Sequence, residues 1–522
     1  MSTLNIFAET ETKDLINYIS QKADLTRPLF LWIDLFCGCG GVTEGYSRVK
    51  NNFVVACVNH DDSAIKSHHL NHPECIHYTE DIRNWRVIVK LKHLVTQLRL
   101  VFPDMVLCLH ASLECTHFSK AKGGMSRDAD SRTLAEHLFN YDCLGIQYIT
   151  IENVQEFTTW GPLNDDGKPI KSKQGQDYKA WINNYKKLGY TYQSMILNAA
   201  DYGAYTSRKR YFAILAKAGL PVAFPERTHA PKKELSKYPN LLPHNPVKEM
   251  LDLEDEGQSL FEKNKSGNYY VTATFSRVYY GLLKFHKEGL FRIRYNGGDM
   301  REKSKSLNKP LGTILCNSTH SIVKPIFLTS YYGASQDGNG VHSLESACPT
   351  ITTKDRFVLH HLQYCYGKPY YSKIDEPSGT LTTTPKGELV TTKWLFDMQF
   401  SNVGSSINRT APTIIARQDK KPLYLASANN YGWIDYSQPH PDDCDVKKQL
   451  KEFMRQHGII DIKIRPLKVE ELKRIQGFPE EYKLVRGKTK AKKQIGNAVV
   501  PVQAMANAQA LYDVYCEISG LA

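Results

Sequence analysis

Cys115 stands alone in a polar loop, Ala111 to Gly124, that ends in lysines and a glycine pair. A loop cysteine is a candidate nucleophile, because its thiolate is intrinsically strong and neighbouring cations lower its pKa. An inert loop cysteine is the competing reading. Glu152 closes the apolar run Tyr148 to Ile151, where a protonated carboxyl could give its proton to a ring nitrogen. The alternative is an edge glutamate with no task. Arg208-Lys209-Arg210 precedes the run Tyr211 to Leu215 and supplies fixed positive charge, unless it is a solvated basic turn. The last candidate is Phe36-Cys37-Gly38-Cys39-Gly40-Gly41, where glycines let backbone N–H groups approach a ligand. Its spacing is not the dinucleotide fingerprint Gly-x-Gly-x-x-Gly, and an ordinary tight turn fits it equally.

These residues need elements to hold them. The run 29–36 reads as a buried parallel strand, and Val42 to Val49 as the helix after its turn. Phe53 to Val58 is a second strand, closed by Asn59-His60-Asp61, with a helix over Ser63 to Asn71. In a doubly wound sheet the polar residue closing the second strand is the usual ribose contact, here Asn59. A short third strand, Ile76 to Tyr78, leads to Asp81-Ile82 and a helix over Val87 to Leu100. Met105 to Leu109 is the fourth strand and Tyr148 to Ile151 the fifth. Strands alternating with helices through residue 215 make a three-layer α/β sandwich. Ligands in such sheets sit outside the carboxyl ends of the strands, and the polar clusters after all five strands lie at that edge.

The chain has 522 residues, enough for two or more domains, with 41% hydrophobic and 23% charged residues. Lys and Arg outnumber Asp and Glu by 67 to 54, a net charge of +13 that favours a polyanionic partner. No apolar stretch approaches the roughly 20 residues of a membrane span, and no signal-peptide pattern opens the sequence. No membrane association is expected. The 12 cysteines are scattered without a Cys-x-x-Cys, so no metal site is expected. A reduced, cytoplasmic protein with mostly buried cysteines follows.

Composition divides the chain further. Residues 1–28 form an extension with one amphipathic helix candidate, Asp14 to Lys22. The α/β pattern fills 29–219. From 220 to 457 helical periodicity fades and short β-branched runs alternate with Pro, Gly and Asn. Residues 458–522 turn helical again, and Pro501 starts a final helix with Val502, Met505, Leu511 and Tyr515 inward. A β-rich insert between two such segments implies that the C-terminus folds back on the first domain.

The order Phe36-x-Gly38-x-Gly40-Gly41, Cys115-x-x-Phe118-Ser119, Glu152-Asn153-Val154 and Arg208-x-Arg210 resembles the DNA (cytosine-5)-methyltransferase family. So do Arg465-x-Leu467 with Arg474-Ile475-Gln476-Gly477-Phe478-Pro479, and Gln494-Ile495-Gly496-Asn497-Ala498-Val499-x-Pro501. The resemblance implies a doubly wound, Rossmann-like methyltransferase domain with an inserted β-rich target-recognition domain at 220–457. It implies S-adenosylmethionine as cofactor, bound by Phe36, Gly38, Cys39, Gly40, Gly41, Asn59, Asp81, Ile82 and Asn497. Cys115 would attack C6 of a cytosine flipped out of the duplex, Glu152 would act at N3, and Arg208 would hold the base. Double-stranded DNA is then the partner, a restriction endonuclease a functional counterpart, and a prokaryotic or phage modification methylase the setting. A monomer is expected.

The chain departs from the family pattern at four places. Glu114-Cys115-Thr116 replaces Pro-Cys-Gln, Asn59 replaces a glutamate, and Thr206 replaces the Gln before the two arginines. An acidic neighbour such as Glu114 raises a thiol's pKa unless it is paired or points away. Two other readings remain at this point. One is a tRNA cytosine-5 methyltransferase, and the other a catalytically silent DNA-binding protein on the same scaffold.

Overall fold

Phe30-Leu31-Trp32-Ile33-Asp34-Leu35 form the first strand (β1), and all six residues are buried. A strand apolar on both faces belongs inside a parallel sheet covered on both sides. The computed structural model describes residues 3–113, 134–164, 169–252 and 436–520, apart from 458, 460 and 486. Between 253 and 435 it describes 255, 258–263, 267–285 and the strands named below. Two compact units result, Met1–Pro243 with Gln476–Ala522, and His244–Ile475.

The first unit is built on seven strands: β1, then β2 (Asn52–Val58), β3 (Ile76–Tyr78), β4 (Val106–Ser112), β5 (Tyr148–Asn153), β6 (Tyr190–Asn198) and β7 (Lys209–Lys217). Their order across the sheet is 3-2-1-4-5-7-6. The first five are parallel, whereas β7 runs antiparallel to both β5 and β6. The winding direction reverses between β1 and β4, so their carboxyl ends define the crevice where such sheets take ligands.

Alternate residues of β1 serve the two faces, as the strand period of two requires. Leu31, Ile33 and Leu35 meet α1 (Thr3–Lys22), α4 (Trp85–Val101) and α5 (Gln176–Lys187) through Leu15, Ile19, Leu91, Leu98, Trp181 and Tyr185. Phe30 and Trp32 face α2 (Gly41–Tyr46), α3 (Asp62–His69) and the helix Pro501–Ile518, through Val42, Tyr46, Ile65, Ala504, Ala508 and Leu511. The result is the expected α/β sandwich with helices on both faces. Among the described residues no helix is long and apolar enough to cross a membrane.

The second unit carries a mostly antiparallel sheet. Its main path runs through Gln258–Ser259, Ile462–Pro466, Leu423–Ala426, Trp394–Asp397, His320–Pro325, Phe291–Asn296 and Ser304–Ser306. The helices Thr272–Phe285 and Asp445–Gln456 belong to the same unit. Arg465, on one of its strands, grips Glu471 with both terminal nitrogens at 2.8 and 3.0 Å. It also donates to the carbonyls of Asp252 and Asp255, each at 2.6 Å.

Candidate active site

The turn after β1 is held in an unusual backbone. Phe36, Gly38 and Gly40 have φ of 59°, 55° and 98°, and Phe36 is one of two non-glycine residues there among those described. A side chain at such φ is strained, so the surroundings must enforce the turn. Its glycines do different things. A Cβ on Gly38 would meet only the Phe36 carbonyl oxygen, at 4.0 Å, which leaves the kind of cradle a ligand can fill. A Cβ on Gly41 would fall on the Val499 carbonyl, and one on Gly45 on Pro501 and Ala504. Gly41 and Gly45, one turn apart on α2, therefore let the C-terminal segment lie directly against it. Tyr482 completes the contact by donating to the Cys39 carbonyl at 2.5 Å.

These environments make a prediction. Gly41→Ala is expected to cost about 2–3 kcal/mol, the scale of overpacking where backbone must move. Gly38→Ala is expected to cost only about 1 kcal/mol, the backbone strain of a left-handed residue. Urea denaturation of both variants checks this, and equal losses would contradict the packing role of Gly41.

Asn59, at the end of β2, uses its side-chain oxygen to accept from the Asp61 amide at 2.8 Å. Asp61 in turn caps α3, accepting from the Ser63 and Ala64 amides; burial raises its pKa, but the Ser63 hydroxyl, Lys493 and these amides outweigh it and hold the carboxyl below its ordinary value. Asp81 is half-exposed and paired with Arg83 at 2.7 Å. Beside it Ile82 is buried, and its carbonyl accepts from the Tyr141 hydroxyl at 2.8 Å. Asn497 sits exposed at the end of the helix Lys488–Asn497. That helix is pinned to α3 by Gln494, which accepts from the Ser67 hydroxyl and donates to the Ser63 carbonyl, both at 2.8 Å.

Across the crevice, register places Ser112 of β4 beside Glu152 of β5. Cys115, three positions beyond Ser112, lies outside the described residues. The approach to it is well anchored. Asn153 donates to the Leu113 carbonyl at 3.4 Å, and His110 exchanges hydrogen bonds of 2.9 Å with Thr150 and Ser112. Burial pushes His110 down to about 3, so it is a neutral imidazole in this network, with the Tyr46 hydroxyl at 3.2 Å.

Glu152 is buried, and its Oε1 lies 3.2 Å from Arg210 Nε without forming an aligned hydrogen bond. The antiparallel pairing of Glu152 with Phe212 carries Arg210 past the end of β5, which makes this ion pair possible. Sequence reading missed it, because nothing local marks β7 as antiparallel. Arg208 is buried too, and its Nη1 donates to the Gly496 carbonyl at 3.0 Å. One arginine thus steadies the candidate acid, and the other ties β7 to the segment that ends in Asn497.

The strand ends gather a glycine turn with an open side, a buried carboxyl with a guanidinium partner, and the approach to a lone cysteine. Comparison with known proteins adds the family. A model described as C-5 cytosine-specific DNA methylase matches residues 30–513. The chain is 26% identical over 220 residues to DNA (cytosine-5)-methyltransferase 1 of Mus musculus, covering 40% of this chain and 12% of that protein. It is 28% identical over 198 residues to Type II methyltransferase M.AgeI of Thalassovita gelatinovora, covering 38% and 42%. The matched part is thus well under two thirds of either relative. Among solved structures, a Spodoptera frugiperda DNMT2 variant is 13% identical with a TM-score of 0.43, covering 93% of this chain and 99% of that one. With the family model spanning nearly its whole length, the chain belongs to the C-5 cytosine-specific DNA methylase family, whose members use S-adenosylmethionine as methyl donor.

Proposed function

We propose that this chain methylates C5 of a cytosine flipped out of double-stranded DNA at a specific short sequence, through a covalent Cys115 adduct. The observation that carries the reading is the placement of Glu152 beside Ser112, three positions before Cys115 in the sequence. A prokaryotic or phage modification methylase, paired with a restriction endonuclease, fits the type II relatives.

The target carbons are unreachable in the base stack, so the cytosine must leave it. Cys115 attacks C6 as a thiolate, forming a C–S bond while the C5–C6 electron pair moves onto C5. Glu152, engaging N3, keeps the charge from accumulating in the ring. Arg210 orients that carboxyl through their ion pair. Arg208 holds the base, its guanidinium being fixed against Gly496. Bound S-adenosylmethionine supplies an electrophilic methyl group for C5. Solvent water takes the C5 proton, its electron pair restores the ring double bond, and the C–S bond breaks to return Cys115 as thiolate. Phe36, Gly38, Cys39, Gly40, Gly41, Asn59, Asp81, Ile82 and Asn497 are the residues we assign to the cofactor, with the open side of Gly38 the feature that fits it. Residues 220–457 are assigned to reading the DNA bases.

Transfer of labelled methyl groups tests the reading. Label in duplex DNA confined to one short sequence supports it. Label in tRNA would favour the RNA enzyme, and label in neither would favour a silent binding protein.

The lysines at 488–493 divide by environment. Lys488 and Lys490 are exposed, Lys492 is buried, and Lys493 pairs with Asp61 at 3.4 Å. If the exposed pair holds phosphates, replacing both with Ala weakens binding to all duplexes alike. The slope of log affinity against log salt should then fall by about one to two units, near 0.9 for each phosphate no longer neutralised. An unchanged slope would move the DNA track elsewhere.

A further inference from the structure

Beneath the turn that carries Gly38, three donor atoms converge that the methyl-transfer reading does not use. The sulfurs of Cys37 and Cys57 and a ring nitrogen of His68 all lie within 4.8 Å of one another, and all three residues are buried. They come from separate elements. Cys37 lies in the turn after β1, Cys57 on β2 opposite Asp34, and His68 on α3. Cys57 Sγ is 3.2 Å from His68 Nε2. A third buried thiol, Cys75, stands just before β3, outside that cluster but within reach of Cys57, and donates to the Val54 carbonyl at 3.0 Å.

We propose that Cys37, Cys57 and His68, with Cys75 as fourth donor, form a structural zinc site. Three thiolates and one imidazole are an established zinc set, and a site with four protein ligands is closed to substrate. Zinc–sulfur bonds of about 2.3 Å and zinc–nitrogen bonds of about 2.0 Å set tetrahedral donors roughly 3.5–3.8 Å apart. The Cys37, Cys57 and His68 donors need only about 1 Å of closure to meet that spacing, and Cys75 must turn from the Val54 carbonyl to complete the set.

The surroundings fit a ligating imidazole. His68 Nδ1 is engaged by His77 Nε2 at 2.9 Å, which leaves Nε2 facing the thiols and fixes the ring. Binding exchanges three S–H bonds for three zinc–sulfur bonds, releases three protons to solvent, and changes no oxidation state. Nearby, Asp34 Oδ1 is buried without a hydrogen bond, although its other oxygen accepts from the Thr43 hydroxyl at 3.0 Å. A cation in this pocket would oppose that otherwise uncompensated carboxyl. The competing account is a core of S–H and imidazole hydrogen bonds, including His68 Nε2 to Thr43 at 2.9 Å. The site departs from the expectation of no metal, because sheet register, not sequence spacing, assembles its ligands.

The zinc proposal is independent of the catalytic reading and is tested on the full chain, free of any histidine tag, from zinc-supplemented cells. Elemental analysis should find about one zinc per chain, the stoichiometry of one closed site. Cys57→Ser and His68→Gln should each lower this to below about a tenth, because an incomplete site binds far more weakly. Cys115→Ser should leave the metal in place. Because a ligand variant can misfold, the wild type is also stripped with chelator and titrated with cobalt(II). Thiolate-to-cobalt charge transfer with tetrahedral ligand-field bands, reversed by zinc, supports the site. Folded wild type that carries no zinc and gives no cobalt–thiolate band overturns it. So does metal that survives both ligand substitutions, or a Cys37–Cys57 disulfide in protein purified under reducing conditions.

Discussion

Cys115→Ser is expected to abolish methyl transfer while leaving duplex binding largely unchanged. Attack on C6 requires an anion at neutral pH, and a serine hydroxyl has no comparable ionised fraction. Turnover should fall by roughly 10³-fold or more, the scale on which loss of a nucleophile is felt. Affinity should persist, because phosphate and base-edge contacts do not pass through the thiol. A second measurement reads the covalent step directly. DNA carrying 5-fluorocytosine at the target should trap the wild-type chain, since fluorine at C5 cannot leave as a proton does. The Ser variant should form no such adduct. Full turnover by that variant would remove Cys115 from the mechanism, and with it the role proposed for Glu152.

The parts of this architecture legible in the sequence are those where one local pattern has one cause. Phe30 to Leu35 is apolar throughout because both of its faces are covered, so the run itself announces a central parallel strand. The polar residues Asn59, Asp81 and Glu152 mark where the apolar strand runs stop, for a similar reason. Elements with mixed exposure are harder to read. β6 is largely exposed between its buried ends, Tyr190 and Leu197, and its one apolar run, Met195 to Leu197, is short. The helix Pro501–Ile518 starts at the expected proline, but its most buried face is Ala504, Ala508, Leu511 and Tyr512, with Met505 and Tyr515 only partly covered. The small alanines win because Gly41 and Gly45 bring the two helices too close for longer side chains. Nor does the sequence indicate that Arg210 reaches Glu152 or that Arg208 holds Gly496, because both depend on a strand direction and a distant segment. The lysine run misleads in the opposite sense. Four cations look alike in sequence, yet one is buried and one is already paired.

Arg465→Ala is the substitution expected to cost the most stability, and it tests how the second unit is held together. Arg465 is 6% exposed and Glu471 1%, so neither charge can turn to water for solvation. The guanidinium makes a two-point bond to the carboxylate and reaches the carbonyls of Asp252 and Asp255 as well. Removing it leaves Glu471 with the amides of Asp252 and Lys468 alone, at 2.8 and 2.7 Å. Breaking a buried pair from one side costs about 3–5 kcal/mol, because the remaining charge stays buried. Arg465→Lys should recover little, since an ammonium cannot reproduce the planar fork. Arg465→Met combined with Glu471→Leu should recover most of the loss, because replacing both charges with apolar groups of similar volume removes the uncompensated ion. Chemical denaturation of the four proteins measures this directly. A loss below about 1 kcal/mol for Arg465→Ala would place the pair with ordinary surface salt bridges. A double variant no better than the single one would show that the carbonyl contacts to Asp252 and Asp255, and not the charge pair, hold that segment against the strand.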